Sequence, residues 1–196
     1  MCLEVMHLYT YDIFAEKLGF KIAWGCLAWY PFFYCSGAWP AVIAPAQDDL
    51  QPITCVMIAV LYFVGWALTR GANLQKYVYK TRAAEPGAER TLLGRWLLPM
   101  STVPGTQLLC GGFWGLARHI NYLGEILQGA ALALPGSLVS TTCVGSALPW
   151  AYPLYYLAIL IPRQADDEIV IRSKYGHAAF EAYAKRVPYR IVPGLW

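Results

Sequence analysis

The sequence predicts an all-α, polytopic transmembrane helical protein, and three observations carry that expectation. Apolar residues fill 58% of the 196 positions and charged residues only 14%, a balance far from the soluble norm. Four stretches hold no charged residue at all, 22–47, 50–69, 96–117 and 126–162. Each meets the roughly 20 apolar residues that a helical crossing of a bilayer needs. The charges collect in segments between and after these runs, as they do in loops and tails outside a membrane.

In chain order, the first run carries Pro31, Pro40 and Pro45, so kinks are expected in its helices. Glu4, Asp12 and Glu16 precede it with no basic segment in the lead, so the N-terminus does not resemble a cleavable signal. Asp48 and Asp49 mark a short turn before the second run, which reads as a plain span. The segment from Arg70 to Arg95 then sets Arg70, Lys76, Lys80, Arg82, Arg90 and Arg95 against Glu85 and Glu89, which places this loop on the cytoplasmic side. The third run contains Pro99, Pro104 and the Gly111-Gly112 pair, and is expected to be partly loop at the interface. The last run is too long for one crossing at about 1.5 Å per residue. Pro135-Gly136 and Pro149 offer places to break it into two helices or a re-entrant piece. After two crossings the tail returns to the cytoplasm, with Arg163, Arg172, Lys174, Lys185, Arg186 and Arg190 against Asp166, Asp167, Glu168 and Glu181. The net charge of +3 is therefore a topology signal and gives no reason to expect nucleic acid as a partner. Cys2, Cys26, Cys35, Cys55, Cys110 and Cys143 show no paired spacing and read as small apolar residues, with no disulfide or metal site expected.

Three polar clusters punctuate the chain. RGANLQKYVYKTR, from Arg70 to Arg82, reads equally as a solvated juxtamembrane loop and as a ring of cations around anionic oxygens. In GFWGLARHINYLGE, Arg118, Asn121, Tyr122 and Glu125 recur at helical spacing and on a helix would share a face with Trp114. Burying such groups without partners costs several kcal/mol each, so a ligand pocket accounts for them better than an interfacial belt. RQADDEIVIRSKYG places Arg163 and Asp167 one helical turn apart, where they can pair. A helix cap with an ordinary ion pair is the plain alternative there. GGFWG lacks the spacing and context of a dinucleotide-binding turn, and no HExxH, nucleophile elbow or CxxC pair occurs.

The segments RGANLQK, LLCGGFWGLARHINYLGE, LPWAYPLYYLAILIPRQADDE and SKYGHAAFEAYAKRVPYRIVPGLW, in this order, resemble the C-terminal half of the sterol reductase family, which includes sterol Δ14-reductases, 7-dehydrocholesterol reductases and the lamin B receptor. YDIFAEKLGFKIAWGCLAWYPFFY is similar to the family segment that precedes these motifs. The resemblance implies multi-pass enzymes of the endoplasmic reticulum, or of a bacterial inner membrane, that reduce a sterol double bond with NADPH. It implies cofactor contacts from Lys76, Lys80, Trp114, Arg118, His119, Asn121, Tyr122, Arg163, Asp167 and Tyr175, a catalytic role for Asp167, and no metal. Cytoplasmic polar loops would form the cofactor pocket, with Lys76, Lys80 and Arg82 favouring the 2′-phosphate of NADPH. Trp24, Trp29, Tyr30 and Tyr34 are candidates to line an apolar sterol cavity. One membrane domain over 1–196 is implied, with first helices in 1–69, a basic loop in 70–106, membrane helices and a hairpin in 107–162, and a tail in 163–196. Sterol and membrane lipid are the implied partners.

Two departures from the family pattern matter. Glu125 stands where relatives usually carry Asp, and Asp166 where they carry a basic residue, which reverses a charge near the pocket. The family is also about twice this length. Substrate choice stays open: Δ14 reduction is favoured by RGAN and DIFAEKLGF, while WGCLAW leans toward Δ7 or Δ24(28) reduction. Two other classes compete. Small membrane methyltransferases share this architecture but carry Arg-His-Pro-x-Tyr where this chain has Arg118-His119-Ile120-Asn121-Tyr122. An inactive truncated remnant is the non-enzymatic alternative.

Overall fold

The computed structural model describes residues 24–37, 39–40, 50–82, 91–92, 98–99 and 101–196. A π-helical turn, Gly25–Trp29, leads into α1 (Tyr30–Ser36). The disturbance expected at Pro31 takes the form of this wide turn, in which the Tyr30 N–H donates to the Gly25 carbonyl and so leaves room for the proline ring.

Helix α2 (Pro52–Arg82) is 31 residues long. Pro52 occupies its first position, where a missing N–H goes unneeded. The helix continues through Arg70–Arg82, which corrects the expectation of a loop there: the basic segment is helical up to Arg82, and residues 83–90 lie outside the described region. The physical reason is local. No proline interrupts the segment, and Ala72, Gln75 and Tyr79 recur at helical spacing as a buried stripe that needs the helix in order to pack.

Beyond it, strands β1 (Thr91–Leu92) and β2 (Leu98–Pro99) form a two-residue antiparallel pair with Leu92 opposite Leu98. Residues 101–112 are non-helical, in keeping with the interfacial loop expected of the third run. A bridge between Thr102 and Leu109 closes this loop, with the Cys110 N–H donating to the Ser101 carbonyl at 2.8 Å. Then come α3 (Phe113–Leu116), α4 (Ile120–Val139), α5 (Cys143–Ala147), a 3₁₀ turn at Leu148–Trp150, α6 (Ala151–Tyr175) and α7 (His177–Arg186).

The last apolar run thus breaks into two long helices, but not at the expected dipeptide. Pro135 lies inside α4, and the chain reverses at residues 140–142, where the Thr142 hydroxyl caps α5 by accepting from the Gly145 N–H at 3.1 Å. Pro149 falls in the 3₁₀ turn, whose tighter geometry accepts it.

Two helical stretches are long and apolar enough to cross a membrane, Pro52–Lys80 and Cys143–Tyr175, and only 11% and 22% of their most apolar windows are buried inside the chain. Such helices in a soluble core would be covered. Here Ile53, Val56, Met57, Val60 and Phe63 on α2, and Leu154, Ile159 and Ile161 on α6, face outward. Apolar side chains that the protein itself does not cover match a lipid surround, and the chain is an all-α membrane protein.

The chain divides into two compact units, Met1–Gly65 with Ile126–Leu157, and Trp66–Glu125 with Ala158–Trp196. In the first, the Ser137 hydroxyl donates to the Ser146 carbonyl at 2.9 Å and accepts from the Trp150 indole at 3.1 Å, which ties α4 to the segment beyond the reversal. The second holds two apolar clusters. One gathers Ala72, Tyr79, Leu109, Trp114, Ala117 and Ile120, the other Val103, Leu108, Phe180, Tyr183 and Val187. The candidate site lies within this second unit.

Candidate functional site

The wall of the site begins at Gln75, a fully buried carboxamide in the middle of α2. Its Nε2 donates to the Gly111 carbonyl at 3.0 Å and its Oε1 accepts from the Phe113 N–H at 3.1 Å, so one side chain satisfies both peptide groups flanking Gly112. Gly112 is required at this point. Its φ of 64° is unfavourable for other residues, and a Cβ would overlap the Gln75 amide. Gly71, one turn earlier on α2, lets the Phe113 ring approach the helix where a Cβ would collide with it. The turn so fixed presents Trp114, whose indole Nε1 donates to the Ala72 carbonyl at 2.9 Å. With its one donor used, Trp114 has its ring face to offer a ligand, and the Lys76 ammonium stands 5.2 Å from the ring centroid.

The sequence expectation that Trp114 and Arg118 share one helical face with Tyr122 is corrected by the backbone. Ala117 is extended (φ −156°, ψ 154°), which ends α3 and separates it from α4. The next two residues pair with the C-terminal segment: the Arg118 N–H donates to the Tyr189 carbonyl at 2.9 Å, and the His119 N–H to the Arg190 carbonyl at 2.7 Å. The Arg118 guanidinium is buried and committed. Nε donates to Glu168 Oε1 at 2.9 Å, and Nη1 donates to the carbonyls of Val187 and Pro188 at 2.8 and 3.0 Å. Glu168 is buried as well and has Arg190 Nε at 3.8 Å. A buried carboxylate between two guanidinium groups is tolerable because its charge is matched and hydrogen-bonded.

Past this lock, the first turn of α4 projects Tyr122 toward α6. The Tyr122 hydroxyl donates to Asp167 Oδ2 at 2.5 Å, a short charge-assisted bond. The His119 ring stacks on Tyr122, with centroids 5.2 Å apart and 18° between planes, and its Nδ1 lies 3.8 Å from the same Asp167 oxygen. Burial, followed by the charges of Arg118, Lys76 and Arg190, pushes the His119 imidazole down to about 3. The ring is therefore neutral near pH 7, and its approach to Asp167 is a polar contact rather than an ion pair. On the opposite side the Thr69 hydroxyl, on α2, donates to the Asn121 carbonyl at 3.1 Å and anchors the start of α4.

Three buried polar atoms have no hydrogen-bond partner among the described residues: His119 Nε2, Asn121 Oδ1 and Gln164 Nε2. Leaving such groups unsatisfied costs about 1–3 kcal/mol each. His119 and Asn121 flank Ile120 at the start of α4, the turn that carries Tyr122, and Gln164 precedes Asp167 by three residues on α6; a bound ligand or an ordered water satisfies atoms of this kind.

Of the residues expected at the site, the structure brings His119, Tyr122 and Asp167 into mutual contact and sets Lys76 over Trp114. Asn121 opens α4 next to them, and Arg163 lies half-buried on α6 one turn before Asp167. Lys80 sits one turn past Lys76 on α2, and Tyr175 closes α6. Trp24 and Tyr30 are exposed in the first unit, while the side chains of Trp29 and Tyr34 lie outside the described set. Gln75, Gln164 and Glu168 escaped the sequence reading. Gln75 carried a usable signal, since it falls at i+3 from Ala72 and i−4 from Tyr79 on the apolar stripe of α2.

Residues 2–196 match the profile described as the Ergosterol biosynthesis ERG4/ERG24 family. The chain belongs to this family. It is 38% identical over 189 residues to the Delta(14)-sterol reductase TM7SF2 of Mus musculus, an alignment that covers 96% of this chain and 42% of that protein. It is 35% identical to the Delta(14)-sterol reductase of Arabidopsis thaliana, covering 95% of this chain and 46% of the relative. The Delta(14)-sterol reductase of Methylotuvimicrobium alcaliphilum is 33% identical, with 96% and 41% covered. The chain thus spans less than half the length of these curated relatives. The family membership agrees with the resemblance carried by RGANLQK and GFWGLARHINYLGE.

Proposed function

We propose that the second unit is the cofactor half of an NADPH-dependent sterol reductase that acts on a ring double bond, Δ14 in the first instance, during sterol biosynthesis in the endoplasmic reticulum membrane or a bacterial inner membrane. The observation that carries the reading is the set of buried, unpartnered polar atoms on His119, Asn121 and Gln164 around the Tyr122–Asp167 bond. The names of the relatives, all Delta(14)-sterol reductases, support the choice of double bond.

The residues present fit a nicotinamide dinucleotide. Trp114 offers a fixed aromatic face, Lys76 and Lys80 offer cations for phosphate, and Asn121 Oδ1 with His119 Nε2 offers a polar edge inside a buried wall. Tyr175 and Arg163 extend the same wall along α6. When bound, the cofactor supplies hydride.

The chain's own residues would manage the proton. Tyr122 Oη and Asp167 Oδ2 hold one proton between them, and the neutral His119 ring covers the phenol face and keeps bulk water from it. Asp167, as the acceptor of this bond, orients the Tyr122 hydroxyl, and its carboxylate charge steadies positive charge as it develops nearby. Arg118, whose guanidinium is bound to Glu168 and to backbone carbonyls, acts on the cofactor through the placement of His119 and Tyr122.

The experiment is equilibrium binding to the purified chain in neutral detergent. NADPH should bind saturably and S-adenosylmethionine should not. Saturable binding of S-adenosylmethionine, or of neither ligand, overturns the reading.

A further inference from the structure

Past α7 the chain runs without helix from Val187 to Trp196, and it runs against one dipeptide, Arg118-His119. The two residues stand between the extended Ala117 and the first residue of α4, so their N–H groups have no helical acceptor of their own. The C-terminal segment supplies the acceptors. The Val187 and Pro188 carbonyls accept from Arg118 Nη1 at 2.8 and 3.0 Å, and the Tyr189 and Arg190 carbonyls accept from the Arg118 and His119 N–H at 2.9 and 2.7 Å. The His119 carbonyl in turn accepts from the Tyr122 N–H at 3.0 Å, so the residue held by Arg190 is the one that opens α4.

The far end of the segment folds back on itself. The Ile191 and Val192 N–H groups donate to the Trp196 carbonyl at 3.0 and 2.9 Å, and the Trp196 N–H donates to the Val192 carbonyl at 3.0 Å. Gly194, with a φ of 83°, lets this turn close, and Ile191 is buried at its base. The turn brings the Trp196 ring to 5.8 Å from the Arg190 guanidinium, whose Nε lies 3.8 Å from the buried Glu168 carboxylate.

Arg190 therefore joins the two ends. Its carbonyl holds the His119 backbone, and its guanidinium lies between Glu168 and the Trp196 ring. Held this way, the His119 ring stacks on Tyr122 with centroids 5.2 Å apart. A segment of this kind, fastened by a few bonds and free of helix, opens locally without unfolding the helices beside it.

We propose that Val187–Trp196 is a strap that sets the His119 ring over Tyr122, and that Arg190 is the positioning residue that locks it, fastened by Glu168 on one side and by the Trp196 ring on the other. Its bearing on turnover rests on the functional reading above.

The test is amide hydrogen exchange at Arg118 and His119 in the purified chain, in Arg190→Gln, in Arg190→Lys and in Trp196→Ala. Arg186→Gln is the charge-matched control, since that arginine binds the Thr102 carbonyl instead. Arg190→Gln should speed exchange of both amides about tenfold or more and Trp196→Ala about threefold or more, while Arg190→Lys, which keeps a cation at Glu168, and Arg186→Gln stay within about twofold. The Arg190 side chain is 42% exposed, so Arg190→Gln should leave the thermal midpoint within about 3 °C, which serves as the control for folding. Arg190→Gln should also lower turnover of a Δ14-unsaturated sterol about tenfold while the KM for NADPH stays within about threefold. Unchanged exchange in Arg190→Gln, or an equal rise in Arg186→Gln, overturns the strap. Faster exchange at full turnover overturns the positioning role and leaves a purely structural tie. A wild-type chain that turns over no sterol and binds no NADPH overturns the functional reading, and the exchange result then decides the strap by itself.

Discussion

The two units differ in what they bury. In the first, large apolar side chains such as Ile53, Met57, Phe63 and Leu154 face outward, and Ser36 is the buried polar residue among those described. In the second, Thr69, Gln75, Arg118, His119, Gln164 and Glu168 are all buried. A lipid-facing surface needs only apolar character, which many residues supply. A buried polar network needs each donor matched to an acceptor at hydrogen-bond distance, and a single loss leaves a partner stranded. Substitutions should therefore be nearly silent on the outward face of the first unit and severe in the second.

The largest expected effect is at the Arg118–Glu168 lock. Glu168→Ala leaves Arg118 buried without its carboxylate and should cost about 3–5 kcal/mol, enough to lower the thermal midpoint sharply or abolish folding. A loss below about 1 kcal/mol would mean that the pair is solvated in solution and that the contrast between units is overdrawn.

Next is Gly112→Ala, which forces a φ of 64° on a side chain and drives its Cβ into Gln75. A loss of about 1–3 kcal/mol is expected, together with weaker NADPH binding because Trp114 moves with the turn. Unchanged NADPH affinity in a folded Gly112→Ala chain would remove Trp114 from the cofactor wall.

A pH dependence comes third. The folded His119 imidazole is held near 3, below its ordinary 6.5, so between those values the unfolded chain binds a proton that the folded chain refuses. His119 therefore contributes stability that is fully present above about pH 6.5 and is lost as pH falls toward 3. Thermal midpoints measured from pH 7 to 4 should drop, and His119→Gln should flatten part of that slope. An identical slope in the variant would show that His119 is solvated.

The smallest effect is expected at Met57, which is 66% exposed on α2. Met57→Leu should change stability by less than about 0.5 kcal/mol. A clear loss there would mean that another surface covers this face.

Much of this contrast was legible in the sequence. The uncharged runs announced α2, α4 and α6 because a lipid surround selects for apolar character position by position, and that character survives in a string of letters. The polar cluster from Arg118 to Tyr122 announced the site for the converse reason. What stayed hidden depended on pairing. Nothing in DDE says that Asp167 meets Tyr122 while Glu168 one residue later meets Arg118; the 100° step of the helix decides it. The helical course of Arg70–Arg82 is masked in the sequence by its charges, while the buried stripe of Ala72, Gln75 and Tyr79 is what holds it helical. The break between Trp114 and Arg118 is invisible to helical spacing, because the extended backbone at Ala117 precedes two residues, Arg118 and His119, that pair with Tyr189 and Arg190 from the far end of the chain.

The central claim is that the second unit binds NADPH with its wall and handles the proton with Tyr122 and Asp167. Asp167→Asn separates the two, since it keeps the shape of the side chain and removes the charge that accepts the Tyr122 proton. The measurement is turnover of a Δ14-unsaturated sterol in membranes bearing the chain, paired with the NADPH dissociation constant of the same variant. Turnover should fall about a hundredfold or more while NADPH affinity changes by less than about threefold, as for an interaction made mainly in the transition state. Near-normal turnover, which would make Asp167 a structural residue, or a loss of NADPH binding in proportion to activity, which would make it one that positions the cofactor, would contradict the account.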